Sequence, residues 1–462
     1  MPTPVAVLNV VGLSPSLLGE DAPELRAYAR ASGGVRLLRP PLPAVTSTAQ
    51  SCMLTGRPVS EHGVVANGWF DRTLLEVHFW KQSNRLVAGE KVWETARARD
   101  PSITCANLFW WFNMGSSAEV SVTPRPNYLA DGRKIPDCYT HPAELRERLQ
   151  KAFGPFPLFR FWGPGADISS TDWIAAAARM TYELYRPTLS LVYLPHLDYP
   201  LQQFGPEDPR IREHVREIDR VFGNLLDFYG ERGVRVLVVS EYGIGAVRGA
   251  IEPNRVLRDA GLLAVRDERG RELLDPVASD AFAVCDHQLA HVYARSPAHA
   301  ARAREALATL PGVARILGAE ERRAEGIDHP RSGDLVLESD EDRWFAYPYW
   351  REGREPDFAR TVDIHRKPGY DPCELLVDPA IRFPKLAIGW RLLRRRLGFR
   401  TLLDVIPLDP ALVRGSHGRV EVGRGLEPVL FGEGLDDFDP PLVGGRVPMT
   451  ATRDAILAAL FP

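Results

Sequence analysis

Cysteine is scarce in this chain: five residues in 462, Cys52, Cys105, Cys138, Cys285 and Cys373, none in a Cys-x-x-Cys spacing. An odd, scattered set excludes a disulfide framework and a zinc ribbon, and it fits a reducing compartment, so a cytoplasmic protein is expected. No run approaches the ~18 consecutive apolar residues of a spanning helix, and no basic segment precedes an apolar one at Met1–Val5. Net charge is nearly absent as well. The 57 basic and 60 acidic residues leave −3, which excludes nucleic-acid binding as the main business. Lysine supplies only six of the basic residues, an arginine skew read as genome composition. What remains is ordinary for a globular chain, with 45% apolar and 25% charged residues and length for one large or two to three smaller domains.

Short β-branched, apolar runs recur at Val5–Val11, Thr104–Phe109, Leu189–Leu194, Val234–Val239 and Leu289–Tyr293. Such runs read as strands buried on both faces. Between them lie helical patterns. Asp172–Arg186 opens on a capping Thr171, and Ile211–Tyr229 places Val215, Ile218, Phe222, Leu225 and Tyr229 on one stripe. The alternation predicts an α/β fold with a mostly parallel sheet, whose ligands bind beyond the carboxyl ends of the strands.

Those ends carry the informative residues. The first strand runs into Gly12-Leu13-Ser14-Pro15. Pro43-Ala44-Val45-Thr46-Ser47-Thr48 leads into Thr55-Gly56, then Glu61-His62-Gly63 and Asn67-Gly68. Leu191–Leu194 ends in Pro195-His196-Leu197-Asp198, where His and Asp share a side if the strand continues. Val234–Val239 ends in Ser240-Glu241-Tyr242-Gly243, and Gly415-Ser416-His417-Gly418 is a glycine-flanked histidine.

In order and spacing these segments resemble the alkaline phosphatase superfamily, in its nucleotide pyrophosphatase/phosphodiesterase branch. Gly89-Glu90-Lys91-Val92-Trp93, Asn107-Leu108-Phe109-Trp110, Phe204-Gly205-Pro206 and His329-Pro330-Arg331-Ser332-Gly333-Asp334 extend the resemblance over nearly the whole chain. It implies a three-layer αβα sandwich with a mostly parallel central sheet. Residues 1–462 then form a single domain in which about 250–400 holds a smaller cap or inserted lobe. It also implies a metal-dependent phosphodiesterase or nucleotide pyrophosphatase with Thr46 as nucleophile, and Asn67 as hydrogen-bond donor to the charged phosphoryl oxygen. A threonine hydroxyl is a poor nucleophile unaided, so a metal normally binds its alkoxide. The helix after Thr46 adds free N–H groups for an anion.

Departures from the family cluster at the ligand positions. Val11 replaces the aspartate after the first strand, Glu241-Tyr242 the Asp-His pair, and Gln202 the histidine four residues after Asp198. A two-zinc centre is therefore not expected. The expectation is a single divalent ion, zinc before manganese or magnesium, held by Asp198 and His417 with Glu241 or His196. Arg366 and Lys367 are expected to supply part of the missing positive charge. Asp286, His287 and His291 are further candidate ligands, with structural hydrogen bonding as the plainer reading.

The substrate class is a small phosphodiester or pyrophosphate. The rival reading is an altered member that binds a phosphorylated small molecule without hydrolysing it. A sulfatase is excluded, because Thr46-Ser47-Thr48-Ala49-Gln50 lacks the x-Pro-x-Arg that must follow its nucleophile. Thr46 alone reads as a helix N-cap, His62 as a residue ordering the loop before Asn67, and Phe79, Trp80, Trp110, Trp111 and Phe112 mainly as core. Leu386–Phe399, with Trp390 and four arginines, reads as a solvated basic face or an amphipathic helix touching anionic lipid or a partner.

Overall fold

The computed structural model describes residues 2–130 and 132–462. Its central sheet has nine strands in the order Val447–Pro448, Arg36–Arg39, Val429–Gly432, Arg235–Val239, Val5–Val10, Leu189–Leu194, Cys105–Leu108, Val120–Pro124 and Cys138–His141. The five strands from Arg235–Val239 to Val120–Pro124 run parallel. Val429–Gly432 and Cys138–His141 run against them. All six residues of Val5–Val10 and of Leu189–Leu194 are buried, as strands covered on both faces require, and only Asn9 and Ser190 among them are polar.

Helices cover both faces and complete the three layers. Pro23–Ala31, Ser169–Tyr185 and Ile211–Gly230 form one group; Thr46–Thr55, Val92–Arg99 and Thr452–Leu460 form another. Register then sets the site. Val5 pairs with both Leu189 and Arg235, so the neighbouring strands end together at Val10, Leu194 and Val239. Glu241 and Asp198 leave from that common edge.

A second, antiparallel sheet orders Ala281–Asp286, Leu289–Ala294, Leu335–Ser339 and Val313–Leu317. Leu289–Tyr293 is thus a buried strand, but it belongs here and not to the central sheet. A turn of only His287 and Gln288 pairs it with the preceding strand, and so short a connection permits only antiparallel neighbours. His287 takes φ 59°, the conformation a two-residue hairpin loop asks of its first position.

Two local expectations change. The helix containing Asp172 starts at Ser169, where Asp167 Oδ1 accepts the Ser169 N–H, so Thr171 lies inside the helix and caps nothing. The strand ending at Leu194 does not continue through Asp198, which begins the short helix Asp198–Phe204. His196 and Asp198 therefore share no strand face. No helix among the described residues is long and apolar enough to cross a membrane.

Candidate functional site

Thr46 is the first residue of its helix, with extended Val45 as the N-cap. Its hydroxyl does not cap. Thr46 Oγ1 lies 2.9 Å from the Tyr242 hydroxyl, and Tyr242 donates to Asp198 Oδ1 at 3.2 Å. Either oxygen of the Thr46–Tyr242 pair can donate; when Asp198 is ionised and takes the phenolic proton's hydrogen bond, Thr46 donates to the Tyr242 oxygen. The chain continues on the other carboxylate oxygen. Gln202 Nε2 donates to Asp198 Oδ2 at 2.9 Å, and Tyr370 donates to Gln202 Oε1 at 2.9 Å. Two side chains, Tyr242 and Gln202 of its own helix, thus bond to one buried carboxylate, and through them Thr46 and Tyr370 from distant segments are tied to it.

Glu241 lies beside this chain. Asn9 Nδ2 and Gln50 Nε2 each donate to its Oε1 at 2.6 Å, while Oε2 is buried without a hydrogen-bond donor. Gln50 stands one helical turn after Thr46 and is itself fixed by the Trp111 N–H. On the opposite side, Asn67 Oδ1 accepts the Ser47 N–H at 3.0 Å. Asp286 accepts both the Asn67 backbone N–H, at 2.7 Å, and its Nδ2, at 3.2 Å. The hairpin tip thereby holds Asn67 against the head of the Thr46 helix.

His417 joins these parts. Its Nδ1 donates to the Ala44 carbonyl at 2.7 Å, which leaves Nε2 a bare lone pair, buried, unpartnered and 3.8 Å from Asp198 Oδ1. The ring lies between Tyr242, 3.5 Å away at 6°, and His287, 3.7 Å away; Tyr370 covers His287 at 3.8 Å. Close approach here needs the glycine. Gly418 has φ +130°, and a Cβ on it would fall 2.9 Å from the Gln288 nitrogen.

Burial dominates the electrostatics. It lifts Asp198 and Asp286 to about 7 and Glu241 to about 8, against the lowering effect of their amide and hydroxyl donors. The same desolvation lowers His417 to about 3, so it stays neutral. Among the described residues no lysine or arginine bonds to any of the three carboxylates. His417 Nε2 and Glu241 Oε2 are thus buried acceptors of metal-ligand type with neither a donor nor a bonded cationic side chain, whereas both oxygens of Asp198 already accept hydrogen bonds.

Several expected residues lie elsewhere. His196 is not brought to Asp198. Its Nε2 sits 2.8 Å from Glu217 Oε2 and 3.1 Å from His214 Nδ1, because the chain turns at Pro195 toward helix Ile211–Gly230. His196, His214 and Glu217 form a separate potential metal-binding cluster. His291 uses both ring nitrogens structurally, on the Val65 carbonyl and the Gly333 N–H. Lys367 is buried between Asp371, at 2.7 Å, and Glu374, at 2.8 Å, and Arg366 pairs at the surface with Asp357. Neither basic residue compensates for a missing metal, since each is already neutralised by its own carboxylates.

His62 orders the loop as expected, accepting the Val64 N–H. The sequence reading missed Asn9, Gln50, Tyr370, His214 and Glu217. Only Gln50 carried a usable signal, its placement one turn after Thr46.

The family model for type I phosphodiesterase/nucleotide pyrophosphatase matches residues 5–371. An uncharacterized pyrophosphatase/phosphodiesterase of Schizosaccharomyces pombe is 25% identical over 232 residues, covering 48% of this chain and 40% of that protein. Human ectonucleotide pyrophosphatase/phosphodiesterase family member 7 is 22% identical over 236 residues, covering 49% and 44%. The matched region spans less than half the length of either curated relative. Among solved structures, phosphonoacetate hydrolase from Sinorhizobium meliloti superposes with a TM-score of 0.62 at 15% identity, covering 99% of this chain and 96% of that one. Murine ectonucleotide pyrophosphatase/phosphodiesterase 5 superposes at 0.56 and 15%, covering 99% and 95%. The murine and human structures are ecto-enzymes by name, which overturns the cytoplasmic expectation. Sparse, unpaired cysteines report disulfide usage and do not by themselves place a chain in a compartment.

Proposed function

The chain belongs to the type I phosphodiesterase/nucleotide pyrophosphatase family as a divergent member of the alkaline phosphatase superfamily, and on that premise we propose that it hydrolyses a small phosphodiester or pyrophosphate with Thr46 as nucleophile. The observation that carries this reading is the hydrogen-bond chain from Thr46 through Tyr242 to Asp198. In it the Tyr242 hydroxyl takes the part that a second metal plays elsewhere in the family. As Thr46 Oγ1 bonds to phosphorus, its proton passes to the Tyr242 oxygen and Tyr242 passes its own to ionised Asp198, while the leaving oxygen departs with the electron pair of the broken P–O bond. Water then cleaves the threonyl–phosphorus bond, releasing the phosphoryl product, and the proton returns along the same chain to Thr46. Asn67, oriented by Asp286 and the Ser47 N–H, offers its remaining Nδ2 hydrogen to the phosphoryl oxygen.

A single divalent cation, zinc before manganese or magnesium, is assigned to Asp198 and His417 with Glu241 nearby. When bound it supplies the positive charge that a phosphoryl group needs in a site lined by carboxylates. The bare Nε2 of His417 and the unpaired Oε2 of Glu241 support that assignment.

One observation favours binding without hydrolysis. The stack of Tyr242, His417, His287 and Tyr370 fills the face in front of Asp198, and all four side chains are buried.

One experiment separates the readings. The purified protein is assayed with p-nitrophenyl phosphodiesters and nucleoside diphosphate conjugates across Zn²⁺, Mn²⁺ and Mg²⁺, beside Thr46→Ala, Asp198→Asn, His417→Ala and His214→Ala. Hydrolysis reduced at least ~10³-fold in Thr46→Ala is expected, with one metal equivalent lost in His417→Ala. Turnover unchanged in Thr46→Ala overturns the nucleophile assignment. Saturable nucleotide binding without turnover establishes the binding reading. Metal lost only in His214→Ala moves the cation to the His196 cluster.

A further inference from the structure

The helix Pro384–Arg396 presents its faces in the reverse of the usual order for a surface helix. Its partly covered positions include Ile388, Arg391 and Arg395, spaced three and four residues apart on one side. Ile388 packs against a small cluster that includes Val405 and Ile406, and Arg391 Nε donates to Asp404 at 2.6 Å. That side faces the body of the protein. Leu386, Trp390, Leu393 and Leu397, spaced four, three and four, form the opposite side and are 73%, 61%, 46% and 64% exposed. Phe383, Phe399 and Leu402 extend this apolar strip beyond the two ends of the helix, and no residue of the helix is buried. A globular protein turns such a stripe inward unless something else covers it.

Charge identifies the covering surface. Residues 380–403 hold seven basic side chains and no acidic one, in a protein whose net charge is only −3. Lys385 and Arg396 border the stripe on one flank and Arg394 on the other, all three exposed. A second copy of the same helix would set these like-signed rows against each other, so self-association does not suit the face. An anionic bilayer suits both halves of it. Leucine, tryptophan and phenylalanine enter the boundary between headgroups and acyl chains, while the flanking cations meet the phosphates. We propose that residues 383–402 are a membrane-docking element that lays the Leu386–Trp390–Leu393–Leu397 face onto an anionic lipid surface. The attachment is peripheral, since the helix is too short to span.

Co-sedimentation of the full chain with sucrose-loaded vesicles of phosphatidylcholine containing 30 mol% (about one lipid in three) phosphatidylserine tests this. Binding is expected to weaken at least ~10-fold on pure phosphatidylcholine, and as much in Trp390→Glu/Leu393→Glu and in Arg394→Ser/Arg396→Ser. These positions are exposed, so the variants should keep the parent's circular dichroism spectrum and melting curve, which verifies that they fold. Absence of binding to the anionic vesicles overturns the proposal, as does binding that both double variants retain. Loss of a dimer in Trp390→Glu/Leu393→Glu by analytical ultracentrifugation, without vesicle binding by the parent, assigns the face to a second copy and overturns it too.

Discussion

Replacing Tyr242 by phenylalanine removes one oxygen and, with it, two buried hydrogen bonds, to Thr46 at 2.9 Å and to Asp198 at 3.2 Å. The ring and its stacking on His417 remain. A neutral buried bond contributes about 0.5–1.5 kcal/mol and one to a charged group about 1.5–3 kcal/mol, so the loss should reach about 2–4 kcal/mol when Asp198 is ionised. Its sign with pH follows from Asp198. Burial raises that carboxyl from 3.8 to about 7, and the Tyr242 bond is the first of the interactions that oppose the rise. Without the hydroxyl the carboxyl holds its proton to still higher pH. The extra destabilisation therefore appears above about pH 7 and shrinks below it, where a protonated Asp198 needs no donor. Urea unfolding of parent and Tyr242→Phe at about pH 5.5 and about pH 8.5 should show a larger deficit at the higher pH, by ~1 kcal/mol or more. Equal deficits at both values, or none at the higher, would refute the hydrogen-bond chain. A double-mutant cycle with Thr46→Val isolates the shared contact, with a coupling of about 0.5–1.5 kcal/mol expected.

Three further outcomes are expected. Asp198, Asp286 and Glu241 all titrate above their unfolded values through burial, whereas buried His62, His287, His291 and His417 titrate below theirs and oppose them up to about pH 6.5. Above that, where only the carboxylates still titrate, the cation-free protein should lose stability as pH rises to about 8, and Zn²⁺ should restore part of it; melting curves that rise between about pH 6.5 and about pH 8 would contradict this. Lys367→Met strips the counter-charge from buried Glu374 and partly covered Asp371 and should cost about 3–5 kcal/mol, most of it recovered in Lys367→Met/Asp371→Asn/Glu374→Gln by the same unfolding assay. Gly243→Ala would set a Cβ 1.8 Å from the Leu426 carbonyl oxygen and should leave little soluble protein, whereas Gly389→Ala, with open space in an exposed helix, should be neutral or gain about 0.5–1 kcal/mol.

The parallel core was legible because its strands are buried on both faces, and that burial writes mostly apolar runs into the chain at Val5–Val10, Leu189–Leu194 and Arg235–Val239, broken only by Asn9, Ser190 and the leading Arg235. The spacing from Thr46 to Asn67 and the distant Asp198 and His417 were likewise readable as one family pattern, and the structure brings the latter two within 3.8 Å. Sheet membership of Leu289–Ala294 was not legible, since an apolar run looks alike in a parallel and an antiparallel neighbourhood and only the His287-Gln288 turn decides between them. Nor was the fate of the charges. Lys367 and His196 look available in sequence, and each is consumed by a carboxylate that packing alone brings near.

The amino-acid order by itself determined the α/β class and a helix at Thr46, because these depend on local composition and spacing, while the departures at Val11, Gln202 and Tyr242 were readable only against the family the sequence resembles. Tertiary structure alone decided that Tyr242 bridges Thr46 and Asp198, that His417 is pressed between two rings, and that the apolar side of Pro384–Arg396 faces outward. Each of those outcomes is a relation between segments far apart in the chain, set by sheet register, a hairpin turn and the direction from which neighbours pack.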